Sequence, residues 1–119
     1  MLKQILALVV SFFLLGGCGP GQAQEPIVEL SEAVVIDVRT NEEWQAGHLA
    51  DVKLIPWETI VLEIDKLNLD KNQAIAVFCR SGNRAGKAMA LLNEAGYTHV
   101  INLGSLEQAA SALNQDIVK

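Results

Sequence analysis

The residues best suited to chemistry lie together in Val77-Phe78-Cys79-Arg80-Ser81-Gly82-Asn83-Arg84, where a thiol stands between an apolar run and the start of a helix-forming segment. The N-terminus of a helix leaves backbone N–H groups without intrahelical partners and carries the positive end of the helix dipole. Two arginines flank the same turn. Surroundings of this kind lower a cysteine pKa from about 8.5 to roughly 3.5–7.5, and the thiolate is the nucleophilic form. The stretch therefore predicts that Cys79 ionises readily and reacts. The competing reading is a small, inert core residue at the end of a strand, a common fate of free cysteines.

The elements that must position this thiol can be read around it. Ala74 to Phe78 is the most uniformly apolar run of the chain, as expected of a central strand in a parallel sheet. Ala33 to Val38 is a second buried strand. Thr40 or Asn41 caps a short helix with Glu42 and Glu43 in its first turn, and Gly47 ends it. Val52 to Ile55 is a short strand stopped by Pro56, and Trp57 to Leu67 follows as a helix. Arg84 to Ala95 is a helix with Gly96 at its end, His99 to Leu103 is a strand, and a last helix spans Ser105 to Leu113. Alternation of this kind predicts an α/β fold, a small parallel sheet flanked by helices on both faces, with ligands at the carboxyl ends of the strands. Cys79, Asp37 with Arg39, and Leu103 with Gly104 are then expected on one rim.

At 119 residues there is room for one domain. Met1-Leu2-Lys3, the apolar run Ile5 to Leu15 and Gly16-Gly17-Cys18 form the three parts of a secretory signal, with residues 1–17 removed. The run is shorter than the roughly 20 residues a membrane span needs. Leu15-Gly16-Gly17-Cys18 resembles the bacterial lipobox, which implies that Cys18 becomes the lipidated N-terminus. Residues 18–26, rich in glycine, proline and glutamine, then form a tether, and residues 27–119 the folded domain. The expected location is the cell envelope, lipid-anchored and facing the periplasm or the outside; a soluble periplasmic protein is the alternative. With Cys18 lipidated, Cys79 has no disulfide partner in its own chain.

Nine basic against 14 acidic residues give a net charge of −5, which argues against a nucleic-acid partner. An anionic substrate would depend on a local field, which Arg80 and Arg84 can supply. The two histidines and the cysteines show no ligand spacing, so neither a metal site nor a cofactor is expected.

With these residues in hand, the chain resembles a single-domain rhodanese, a thiosulfate sulfurtransferase, of the exported kind. The resemblance rests on Ile36-Asp37-Val38-Arg39, Glu43-Trp44, Gly47-His48-Leu49 leading to Ile55-Pro56, Cys79 to Arg84, and Gly96-Tyr97 to Asn102-Leu103-Gly104. It implies that Cys79 carries the outer sulfur of thiosulfate as a persulfide to cyanide or another thiophilic acceptor. It also implies that the backbone of Arg80, Ser81, Gly82, Asn83, Arg84 and Ala85 cradles that sulfur, with Arg80 and Arg84 holding the anion. Asp37, Arg39, Glu43 and His48 are implied to be structural. Arg39 and Glu43 stand at the spacing of an ion pair on a helix, and a thiolate beside arginines needs no histidine base. A monomer is expected. The resemblance has departures: Ser105 replaces a second glycine, no tryptophan follows it, and Ala85 stands where many relatives have serine. A cysteine phosphatase or arsenate reductase would need five residues between cysteine and arginine, whereas Cys79 and Arg84 enclose four. The remaining alternative is an envelope persulfide carrier or partner-binding module without significant turnover.

Overall fold

The computed structural model describes residues 30–119; the predicted signal 1–17, Cys18 and the tether 18–26 lie outside the described residues. A 3-10 turn, Leu30–Glu32, leads into β1 (Val34–Asp37). The helix α1 (Asn41–Ala46) starts at a capping box. The Thr40 hydroxyl accepts the Glu43 N–H and the Glu43 carboxylate accepts the Thr40 N–H, so two unpaired donors of the helix end are satisfied reciprocally. Two short strands follow, β2 (His48–Leu49) and β3 (Lys53–Leu54). The helix expected over 57–67 is divided into a 3-10 turn, Trp57–Thr59, and α2 (Ile60–Asp65). Then come β4 (Ile75–Cys79), α3 (Asn83–Glu94), β5 (Val100–Ser105), α4 (Leu106–Leu113) and β6 (Ile117–Val118).

Four strands form one parallel sheet in the order β3-β1-β4-β5. All five residues of β4 are buried, which explains why its sequence lacks the alternation of a strand with one wet face. Its side chains divide by parity. Ile75, Val77 and Cys79 join Ile36 and Val38 under α2 and α3, whose Ile60, Ile64, Ala85, Ala88 and Leu92 complete that core. Phe78 points the other way, onto Leu49 and the Leu106 and Ala109 of α4. Helices thus cover both faces, as the sequence predicts. Leu106 and Ala109 cover the second face without the tryptophan of the family pattern.

β2 and β6 pair antiparallel, His48 with Val118 and Leu49 with Ile117, in a small second sheet that the sequence does not announce. Two residues are too few to display a period, and the pairing joins segments far apart in the chain. Beside it, a Cβ on Gly47 would stand 3.2 Å from Ile117 Cγ2, so a bare Cα there lets the tail lie close.

The edge of the sheet next to β4 carries a bulge. Val77 faces Asn102 and Phe78 faces Gly104, leaving Leu103 as the extra residue. Gly104 turns the chain at φ +89°, and Ser105 then caps α4, accepting the Gln108 N–H while Gln108 returns to the Ser105 N–H. The serine that departs from the family pattern therefore has a structural use, a cap of about 1 kcal/mol.

Candidate active site

Cys79 ends β4, fully buried, at the carboxyl rim of the sheet. The chain turns through Arg80, Ser81 and Gly82 and enters α3 at Asn83, with Gly82 in the left-handed conformation at φ +96°. This turn points N–H groups back at the sulfur. Gly82 N–H donates to Sγ at 2.9 Å and Ala85 N–H at 3.5 Å. Burial pushes the thiol pKa up, but the N–H groups of Ala85, Ser81, Gly82 and Arg84 together favour the thiolate more strongly, and the net shift is downward. The donors are backbone groups of fixed direction, so they need no reorganisation as charge develops on sulfur. Ala85 is wholly buried in the core beneath the thiol, and its contribution to the ring comes from its peptide N–H.

Two ion pairs brace the rim, and neither is the one that spacing predicts. Arg39 does not bind Glu43. Its Nη2 lies 2.7 Å from Asp37 Oδ2 and its Nε 2.9 Å from Asp37 Oδ1, both residues being buried, and Nη2 also donates to the Gly47 carbonyl at 2.8 Å. The reason is that Arg39 precedes the Thr40 cap, so helical i,i+4 geometry does not include it. Glu43 instead receives Arg84 bidentately, Nη1 to Oε1 at 2.6 Å and Nη2 to Oε2 at 2.9 Å. This pair holds the Glu43 carboxyl down to about 2, chiefly through the Arg84 hydrogen bond, and raises Arg84 further above its ordinary value. Arg84 therefore ties the sulfur loop to α1, with both side chains about a quarter exposed.

Arg80 is exposed and makes no ion pair among the described residues. It helps line a cavity of about 400 Å³ beside the loop, together with Arg39, Glu43, Gly47, Leu106 and Ile117. Ser81 and Asn83 are also exposed. His48 is committed elsewhere: its ring stacks on Trp44 with centroids 4.1 Å apart, and Nδ1 donates to the Trp44 carbonyl at 2.9 Å. Of the predicted site residues, Cys79 to Gly82 form the turn and Asn83 to Ala85 open α3, Glu43 ties to them through Arg84, Asp37 and Arg39 pair with each other at the end of β1, and His48 belongs to the α1–β2 junction. The Glu43–Arg84 pair is the feature that sequence reasoning missed, since its partners are 41 residues apart.

The profile of the rhodanese-like domain matches residues 20–112. The chain belongs to the rhodanese-like family. It is 39% identical over 75 residues to the thiosulfate sulfurtransferase PspE of Escherichia coli (strain K12), covering 63% of this chain and 72% of that protein. A tRNA uridine(34) hydroxylase of Erwinia tasmaniensis is 33% identical over 92 residues, 72% of this chain, but the chain spans only about a quarter (26%) of its length. Among solved structures, a rhodanese with anions from E. coli superposes with a TM-score of 0.63 at 36% identity, covering 71% of this chain and 95% of that one. The family's fold and the parallel four-stranded sheet seen here therefore agree.

Proposed function

We propose that the protein is a thiosulfate sulfurtransferase acting through a Cys79 persulfide. The observation that carries this reading is the ring of backbone N–H groups converging on Cys79 Sγ at the end of β4. The 39% identity to the E. coli thiosulfate sulfurtransferase supports it. In the first step the thiolate attacks the outer sulfur of thiosulfate. A bond forms between Sγ and that sulfur, the sulfur–sulfur bond of thiosulfate breaks, and its electron pair leaves with sulfite. The outer sulfur remains on Cys79 as an anionic persulfide. In the second step cyanide or another thiophile attacks that outer sulfur, the new sulfur–sulfur bond breaks, and the electron pair returns to Sγ as thiolate. No proton or external oxidant enters either step. Covalent capture divides one transfer into two easier ones.

The N–H groups of Ser81, Gly82, Arg84 and Ala85 stabilise the anionic sulfur, and Arg80 meets the anionic donor. Arg84 orders the loop through Glu43. A tight ring of N–H groups around a single sulfur also suits the four-residue interval between Cys79 and Arg84.

The test is mass spectrometry of the reduced protein after thiosulfate treatment. One added sulfur on the Cys79 peptide, absent from Cys79→Ser, is expected; an unmodified Cys79 would overturn the proposal. Turnover with thiosulfate and cyanide then separates the enzyme from a persulfide carrier. Catalytic thiocyanate formation is expected, and less than one thiocyanate per protein would make the chain a carrier.

We propose further that the protein is exported and works in the cell envelope. The apolar run before Cys18 supports export, and the Gly16-Gly17-Cys18 pattern supports attachment through acyl chains on Cys18.

A further inference from the structure

The Gly82 N–H lies 2.9 Å from Sγ, and at φ +96° Gly82 turns the chain from that peptide into α3, whose Ala85 N–H also faces the sulfur; something must keep a conformationally free glycine there. Two hydrogen bonds converge on its carbonyl. One is the first helical bond of α3, from Gly86 N–H at 2.9 Å. The other comes from outside the loop, from the Asn102 side chain on β5, whose Nδ2 donates to Gly82 O at 3.0 Å. The orientation of that amide is fixed at its other end, where Oδ1 accepts the Gly104 N–H at 2.8 Å. Exchanging the two ends would set an acceptor against the Gly82 carbonyl and a donor against an N–H, so one orientation alone satisfies both. The β5 bulge brings Asn102 and Gly104 to this point, and a Cβ on Gly82 would lie 3.4 Å from Gly104 Cα.

We infer that Asn102 is a positioning residue of the sulfur site: its carboxamide bridges the β5 bulge and the catalytic loop, holding the Gly82 carbonyl and with it the left-handed turn that keeps the N–H groups of the loop and of the start of α3 together on Cys79 Sγ. The inference rests on Cys79 being the reactive thiol. Asn102 touches neither sulfur nor substrate in this role. Its effect passes through the peptide donors that the turn brings to the sulfur.

The test uses two variants of the full-length chain. Asn102→Ala removes both hydrogen bonds. Asn102→Asp keeps the acceptor for Gly104 N–H and removes the donor to Gly82, so the local turn survives if the first variant fails to fold. The readout is the pH dependence of alkylation of Cys79 by iodoacetamide, followed on its proteolytic peptide so that Cys18 does not contribute. One pH unit in the midpoint corresponds to about a tenfold change in thiolate population below it. Loss of one donor from the ring is expected to slow alkylation about three- to tenfold at a pH below the midpoint and to leave the high-pH plateau unchanged.

Because the Asn102→Asp substitution also adds a charge, the titration is repeated in 1 M salt, where the screening length falls to about 3 Å. An upward shift that persists in salt supports the inference. A wild-type midpoint in the variant that folds, or a shift confined to Asn102→Asp and abolished by salt, overturns it. Alkylation requires no sulfur transfer. A shifted midpoint in a protein that accepts no sulfur from thiosulfate would sink the proposed function and leave the role of Asn102 standing.

Discussion

Replacing Glu43 with glutamine tests how the sulfur loop is tied to the rest of the domain. The substitution keeps the shape of the side chain and an oxygen for the Thr40 N–H, but removes the charge that Arg84 grips through two hydrogen bonds. Moving a carboxyl from 4.5 to about 2 corresponds to about 3 kcal/mol at neutral pH if the whole difference is felt as stability. Both side chains are 26% exposed, so solvent screening reduces this. Exposed pairs contribute about 0.2–1 kcal/mol, and this bidentate, partly buried one is assigned about 1–2 kcal/mol. The sign follows from the depressed pKa of the folded state. The contribution is complete above pH 4.5 and disappears as pH falls towards 2, where Glu43 protonates in both states. Urea denaturation of reduced wild type and Glu43→Gln should therefore differ by about 1–2 kcal/mol at pH 7, and the difference should shrink steadily below pH 4.5. Groups common to both proteins cancel in this comparison. A difference that stays constant from pH 7 to 3, or one under about 0.3 kcal/mol at pH 7, would show that the pair does not hold the loop to α1.

On the proposed function Arg80, which makes no ion pair among the described residues, acts on the substrate and not on the fold. Arg80→Ala should raise the KM for thiosulfate about tenfold, equivalent to one charge-assisted hydrogen bond of about 1.4 kcal/mol, while alkylation of Cys79 by neutral iodoacetamide keeps its wild-type pH midpoint. An unchanged KM would make Arg80 a solvated surface charge with no part in binding thiosulfate. For the envelope, the mass of the mature N-terminus should correspond to a chain beginning at an acylated Cys18; an unmodified N-terminus after the apolar run would point to a cleaved, unanchored protein, and one that retains the run to an uncleaved anchor.

What could be read in advance depended on the range over which each feature is determined. The strand Ile75–Cys79 and its turn into α3 are legible because an unbroken apolar run, a glycine and a helical stripe all lie within 20 residues. Ser105 and Gln108 likewise form their capping box locally, from residues three apart in the chain. Partner choice among charges is another matter. Arg39 has acidic residues two before it and four after it, and only the position of the helix cap decides between them. Arg84 could not be matched to Glu43 without knowing that α1 and the sulfur loop share a rim. For the same reason Asn102 is visible in the sequence only as part of a motif, and its hold on Gly82 emerges from the bulge that turns it towards the loop.

The parallel sheet also gives the domain a direction. Its described chain begins at Leu30, four residues before Val34 opens β1, while Cys79 closes β4, the parallel neighbour paired with β1 from Val34 to Asp37. Entry and sulfur therefore lie at opposite rims, separated by the length of a strand, about 15 Å for five residues. The point at which the described chain enters the sheet is therefore remote from the loop bearing the sulfur, which stands clear of it at the other rim.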